Sequence, residues 1–168
     1  ESGRSGSMVA INVCAIPDTM FEDTLFGHVH GAFTGATSEM AGVMAEANGG
    51  TLCLDEISAL PLSSQAKLLR AIDAGVFRPV GAPRDRVSDF RIIAATNESL
   101  SQLVATGHFR SDLLHRLGGV VFQIPSLRER IEDIPELVDH FLARIGSADR
   151  CILTGEALRQ LAEHRWSG

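Results

Sequence analysis

Two kinds of hydrophobic pattern alternate along the chain. Met8-Val9-Ala10-Ile11-Asn12-Val13, Thr51-Leu52-Cys53-Leu54, Arg91-Ile92-Ile93-Ala94-Ala95-Thr96-Asn97 and Val120-Val121-Phe122-Gln123-Ile124 are short, nearly unbroken apolar runs. Each predicts a buried strand. Between them the apolar residues recur at helical spacing. Pro17-Asp18-Thr19 opens a short helix with Asp18 or Thr19 as its N-cap. Residues 38–47 read as a helix through Met40, Val43, Met44 and Ala47, ended by Asn48-Gly49-Gly50, where glycine takes a left-handed turn cheaply. Residues 61–74 read as a helix with Ala66, Leu69 and Ile72 near one face. Residues 27–35 carry three glycines and form no regular element. Residues 76–90 read as a hairpin-like excursion with Arg84, Asp85 and Arg86 at its tip.

Apolar strands alternating with helices imply an α/β fold with a parallel sheet covered on both faces. After Pro125 the pattern changes. Ile134, Leu137, Val138, Phe141, Leu142 and Ile145 mark an amphipathic helix, and Thr154 caps another running through Ala157, Leu158, Leu161 and Ala162. The expected division is an α/β core over residues 1–125 and the beginning of a small helical module over 126–168.

Composition narrows the function classes. The chain has 168 residues, 45% hydrophobic, enough for one domain with a real core. Its net charge of −6 argues against a basic face that grips nucleic acid. Lys67 is the sole lysine. Cys14, Cys53 and Cys151 are scattered and read as reduced, mostly buried thiols of a cytoplasmic protein. No apolar run approaches the roughly 18 residues that span a membrane.

The candidate chemistry lies at strand ends. Asp55 and Glu56 follow a buried strand, where open α/β sheets place their ligands. Asp55 is expected to hold Mg²⁺, directly or through water, and Glu56 to orient and activate an attacking water. A surface Asp-Glu pair capping the next helix is the plainer alternative. Thr96-Asn97 closes the neighbouring strand and can meet the same phosphate or water, or simply begin a turn. Asn12 ends the first strand, within reach of Glu56 if the strands are neighbours. Arg110 and Arg116 are six apart, about 600° of helical rotation, so they point in different directions. Either one is suited to a phosphate on a neighbouring subunit and the other to locking the interface, or both make salt bridges on a solvated helix face. Gly31-Ala32-Phe33-Thr34-Gly35-Ala36 carries no catalytic atom set. An aromatic between glycines there is either a contact device or a side chain folded back into the core.

Taken together these segments resemble the central AAA+ ATPase domain of bacterial enhancer-binding proteins, the sigma-54-dependent transcriptional activators. Gly31–Ala36 matches the family's GAFTGA loop letter for letter. Gly49-Gly50-Thr51-Leu52-x-Leu54-Asp55-Glu56-Ile57, Ile93-Ala94-Ala95-Thr96-Asn97, Phe109-Arg110-x-Asp112-Leu113 with Arg116-Leu117, and Leu127-Arg128-Glu129-Arg130-x-Glu132-Asp133-Ile134-Pro135 follow in order. The resemblance implies an AAA+ P-loop-type parallel sheet sandwiched by helices, with the start of a C-terminal helical lid. It implies Asp55 and Glu56 as the Walker B pair, Thr96 and Asn97 as sensor I, and Arg110 and Arg116 as arginine fingers acting between subunits. Asn12 would switch the Walker B glutamate. Phe33 and Thr34, within Gly31, Ala32, Gly35 and Ala36, would touch sigma-54 on RNA polymerase, and residues 80–89 would form a second loop that moves with the first. ATP and Mg²⁺ are the implied ligands, a hexameric or heptameric ring the implied assembly, and a two-component system the implied context.

The chain also departs from the family pattern. It contains no GxxxxGK[ST], and Gly3-Arg4-Ser5-Gly6-Ser7 lacks the lysine. It stops at Trp166-Ser167-Gly168, before the family's lid helix with its sensor II arginine. The expectation is that this chain alone binds ATP weakly or not at all while the parent protein is an ATPase. Gly42-Val43-Met44-Ala45-Glu46 stands where the family usually has an arginine and Phe, and Gly118-Gly119 replaces a usual Asn. The alternative is a non-catalytic interaction module that contacts sigma-54 or a ring partner without hydrolysing ATP.

Overall fold

A computed structural model describes residues 3–146 and 154–166. The chain divides into two compact units, 1–120 and 121–168. In the first unit three parallel strands form a sheet in the order β1 (Met8–Asn12), β2 (Thr51–Asp55), β5 (Arg91–Ala94). Met8 pairs with Thr51 and Asn12 with Asp55 on one side, and Thr51 with Arg91 and Leu54 with Ala94 on the other. This register brings the carboxyl ends of all three strands to one edge.

β2 is the central strand, with Thr51, Leu52 and Leu54 buried. The buried-strand expectation is met there only. β1 alternates exposed and half-buried positions, and β5 is mostly exposed, with Ile93 at 41%. Each has one strand neighbour in this sheet, so one side of each lacks the cover that β2 receives from both.

Helices α1 (Phe21–Phe26), α2 (Val43–Glu46), α3 (Leu62–Ala74), α4 (Leu100–Ala105) and α5 (Ser111–Leu117) complete this unit. Leu25 and Phe26 of α1, Met44 of α2, Leu68 of α3 and Leu113 of α5 are buried with Leu52 and Leu54 in one core. Burying such a side chain contributes about 1.5–3 kcal/mol. A short hairpin, β3 (Val76–Phe77) with β4 (Arg86–Val87), projects between α3 and β5.

Several sequence expectations shift. Neither Asp18 nor Thr19 caps a helix: residues Asp18–Met20 form a 3-10 turn, and α1 starts at Phe21 after Met20 with no side-chain cap. The helix expected over 38–47 is only Val43–Glu46, because Met40 exchanges backbone hydrogen bonds with His28 and so is held extended. The turn that ends it does use Gly49 at φ 73°. The buried stripe of α3 is Ser64, Gln65, Leu68 and Ala71, one position round from that expected, and Ala66 is exposed. Arg86 lies in β4 and not at the hairpin tip. Residues 120–124 are not a strand: Val120, Val121, Phe122 and Ile124 are 74–85% exposed and pair with no strand among the described residues. Cys14 is exposed and Cys53 half-buried, so neither is a buried thiol. Cys151 lies outside the described residues.

In the second unit Ser126 and Glu129 form a capping box, with the Ser126 amide donating to Glu129 Oε2 at 2.8 Å. Helix α6 (Ile134–Arg144) carries the expected amphipathic stripe and packs with α7 (Gly155–Glu163). Thr154 Oγ1 accepts from the Ala157 amide at 3.2 Å, the cap expected from sequence. Among the described residues no helix is long and apolar enough to cross a membrane.

Candidate functional site

The carboxyl edge of the sheet gathers four of the residues singled out in sequence. Asn12 lies opposite Asp55 in the ladder. Its Oδ1 accepts from the Cys14 amide at 2.9 Å, which orients the side chain so that Nδ2 donates to Asp55 Oδ2 at 3.4 Å. The expected partner was Glu56. The register explains the difference, because it sets Asn12 beside Asp55 and the chain turns away immediately after.

Glu56 makes that turn. Its backbone is left-handed, φ 55° and ψ 49°, a conformation that costs a residue with a Cβ about 1–2 kcal/mol. The strain is held in place on both sides. The Glu56 amide donates to Asp55 Oδ1 at 3.1 Å, and the Ile57 amide to the Ala95 carbonyl at 3.0 Å. The Glu56 carboxylate then reaches β5's extension, where Oε2 accepts from the Asn97 amide at 3.4 Å. Asn12, Asp55, Glu56 and Asn97 are thus one linked set. Thr96 instead accepts from the Glu98 amide at 3.1 Å and shapes the turn.

Asp55 is exposed at this edge and forms no ion pair among the described residues. Among those residues no cluster of three or more His, Cys, Asp or Glu is arranged to hold a metal. A single outward carboxylate fits Mg²⁺, which keeps most of its waters and takes one or two protein carboxylates plus substrate phosphate oxygens.

The two arginines are held apart, as their spacing predicts. Arg110 precedes α5 in extended conformation and grips Asp112 with two nitrogens, Nε to Oδ1 at 3.0 Å and Nη2 to Oδ2 at 2.8 Å. This pair raises the Arg110 pKa, and the Arg110 hydrogen bond holds Asp112 below the usual carboxylate range. Arg116, in the last turn of α5, pairs with Asp73 at 2.7 Å at the end of α3. No hydrogen bond or ion pair joins either arginine to Asp55 or Glu56 among the described residues.

Residue 65 was missed in the sequence. Gln65 is fully buried in α3. Its Oε1 accepts from the Arg110 amide at 2.9 Å, while Nε2 donates to the carbonyls of Leu60 at 2.7 Å and His108 at 3.1 Å. The available signal was a polar side chain one position from the apolar stripe, a weak one.

Gly31–Ala36 closes on itself. The Gly31 amide donates to the Ala36 carbonyl at 2.9 Å and the Ala36 amide to the Phe33 carbonyl at 3.0 Å. Phe33 is 47% exposed and Thr34 exposed, so the aromatic does not fold back into the core. Ala36 is buried and anchors the loop. The loop's base is tied to the hairpin: Val29 donates to the Val80 carbonyl at 3.1 Å, Val80 donates to the Gly27 carbonyl at 2.8 Å, and Arg86 pairs with Glu39. Gly81 sits against Ala32 so closely that a Cβ on it would lie 2.8 Å from the Ala32 Cβ.

The family model described as the Sigma-54 interaction domain covers residues 1–123. Over 167 residues the chain is 45% identical to the DNA-binding transcriptional regulator NtrC of Bradyrhizobium sp. (strain RP501 Parasponia), spanning 98% of this chain and 35% of that protein. It is 44% identical over 168 residues to the C4-dicarboxylate transport transcriptional regulatory protein DctD of Rhizobium meliloti (strain 1021), spanning 98% of this chain and 36% of that one. The chain therefore spans about a third of the length of these relatives. Among solved structures, NtrX from Brucella abortus superposes with a TM-score of 0.87 at 35% identity, over 96% of this chain and 37% of that one. NtrX has also been crystallised in complex with ATP and with ADP.

Proposed function

The chain belongs to the Sigma-54 interaction domain family of AAA+ transcriptional regulators, and from that premise we propose that its parent protein is an ATPase that remodels sigma-54 RNA polymerase. ATP is the substrate. Asp55 would hold Mg²⁺ together with the substrate's phosphate oxygens, and the ion would neutralise phosphate charge. Glu56 orients the attacking water and accepts its proton at a carboxylate oxygen. Its bond to the Asn97 amide supplies the fixed point from which that oxygen is aimed. Asn12, bonded to Asp55, holds the neighbouring carboxylate in place.

Arg110 and Arg116 act across a subunit interface in a hexameric or heptameric ring. Both are exposed, and neither contacts Asp55 or Glu56 within its own chain. A guanidinium offered to a neighbour's γ-phosphate stabilises the charge spread over a loose phosphoryl-transfer state. In this chain Asp112 occupies the fork that the phosphate would take, so the arginine is organised before the partner arrives.

The observation that carries the reading is the exposed Phe33-Thr34 tip on a loop whose base is bonded to the 76–90 hairpin. A stiff, aromatic-tipped element tied to a second loop can transmit a push to a protein partner. A second reading, an interaction module without hydrolysis, draws on Lys67. The only lysine is paired with Glu22 at 2.5 Å and lies over the Phe26 ring, so Lys67 is engaged within the fold. DNA contact and the signal sensed belong to parts of the parent protein outside this chain, and residues 126–168 begin its helical lid.

The test is the ATPase rate of the full-length protein against its concentration. A rate per subunit that rises as rings form, and falls about a thousandfold or more on Arg110→Ala, supports the ring ATPase. A full-length protein that binds sigma-54 and never hydrolyses ATP supports the second reading.

A further inference from the structure

We propose that His28 is the positioning residue of the exposed loop, a clamp that fixes where Phe33 stands when it meets its partner; this rests on the sigma-54 reading above. His28 is only 8% exposed, although it lies three residues before the loop that begins at Gly31. Its ring makes two specific contacts among the described residues. On one side Nδ1 pairs with Asp23 of α1, whose side chain is itself 15% exposed. On the other, the ring meets Phe33 edge-on, centroids 5.0 Å apart at 62°. That is the favoured geometry of an aromatic pair. Among the described residues no other ring meets Phe33.

The backbone of the same residue closes the loop. The His28 amide donates to the Met40 carbonyl at 2.9 Å, and the Met40 amide donates back at 3.0 Å. The next residue, Val29, bonds Val80 of the hairpin. One residue therefore locks the loop's neck by its main chain and steadies the loop's tip by its side chain. The carboxylate of Asp23 fixes which way the imidazole faces, the role a second partner plays for any oriented histidine. A ring buried only for packing needs neither a carboxylate on one edge nor a half-exposed partner on the other.

The arrangement predicts that information runs from Asp23 to Phe33 through His28, since Asp23 makes no ring contact with Phe33. The experiment uses this chain, labelled on the histidine and phenylalanine rings, with proton–carbon spectra and binding to purified sigma-54. Phe33→Leu is expected to move the His28 ring resonances out of the ring-current field. Asp23→Asn is expected to move the Phe33 ring resonances while circular dichroism stays unchanged. His28→Gln keeps a donor for Asp23 but removes the ring, and His28→Phe keeps the ring but loses the donor. His28→Gln is expected to bind sigma-54 about two- to tenfold more weakly, the range an aromatic pair supports, and His28→Phe, whose ring is no longer oriented by Asp23, is expected to bind more weakly than the unaltered chain by a smaller factor. Unmoved His28 resonances in Phe33→Leu overturn the clamp. Binding lost in Phe33→Ala but unaltered in both His28 variants overturns it too, and leaves the sigma-54 reading standing. Binding unaltered in Phe33→Ala overturns that reading and with it the role given to His28.

Discussion

Gln65 holds Arg110 by its backbone: the buried amide oxygen accepts the Arg110 N–H at 2.9 Å, 45 residues away in sequence. The same side chain donates to Leu60 and His108. One residue thus satisfies three main-chain groups around the segment that presents the arginine. Gln65→Met keeps the volume and removes all three bonds. Each unpartnered buried group costs about 1–3 kcal/mol, so a loss of about 2 kcal/mol or more is expected after water repairs part of it. Urea unfolding should show a lower midpoint with an unchanged slope. In the full-length protein the same variant should slow ATP hydrolysis more than it weakens nucleotide binding, because Arg110 is displaced and the Asp55 edge is not.

The exposed ion pairs set the response to acid. Asp112 is held below its ordinary value of 3.8 chiefly by the Arg110 hydrogen bond, Asp85 by Arg78 and Asp89 by Arg4. Glu129 is held below 4.5 by Ser126. A carboxylate depressed in the folded state stabilises the fold above its unfolded pKa, and that contribution is lost as pH falls through the folded one. The contribution of these four carboxylates is therefore expected to be flat from pH 7 to about 5 and to decline below about 4, modestly and less in high salt because these groups are at the surface. Chemical unfolding at stepped pH checks this. The gap between the unaltered chain and Asp112→Asn should close at the acid end; a gap that widens there contradicts it.

The strands at residues 8–12, 51–55 and 91–94 were legible because each is a short apolar run, and the carboxylate edge followed from β2. Residues 120–124 have the same composition and are not a strand: they stay exposed and pair with no strand among the described residues, so an apolar run alone does not make a ladder. Residues 38–41 carry helical spacing, yet closing the loop onto His28 takes precedence over local propensity. The links Gln65–Arg110, His28–Asp23 and Glu39–Arg86 were invisible. Two of them join residues more than forty apart, and neither partner is unusual in its own neighbourhood.

Gly81 and Gly107 separate loop contact from backbone strain. Both have left-handed φ, 73° and 75°, so alanine at either costs about 1–2 kcal/mol. At Gly107 the new Cβ meets nothing within 4 Å, whereas at Gly81 it lies 2.8 Å from the Ala32 Cβ and 3.0 Å from its Cα. Gly81→Ala must push the exposed loop away from the hairpin. It is expected to be the less stable variant by about 1 kcal/mol or more, the cost of overpacking. It alone should weaken sigma-54 binding. Equal melting temperatures and equal binding for the two variants would show that the loop does not rest on Gly81.

Glu56 poses the opposite trade. Its φ of 55° is strained for any residue with a Cβ, and in the proposed mechanism its carboxylate is the group that aims the water. Glu56→Gly relieves about 1–2 kcal/mol of strain, against about 0.5–1 kcal/mol for the extra freedom glycine gives the unfolded chain. The variant should unfold at the same temperature as the unaltered chain or higher, with a net gain of up to about 1.5 kcal/mol. Glu56→Gln keeps the strain and should leave the melting temperature nearly unchanged. In the full-length protein both should abolish hydrolysis while nucleotide binding survives. A stability gain together with a total loss of turnover marks a backbone held in an unfavourable conformation for the sake of its side chain. A Glu56→Gly protein that melts well below the unaltered one would show that the carboxylate's bond to the Asn97 amide outweighs the strain.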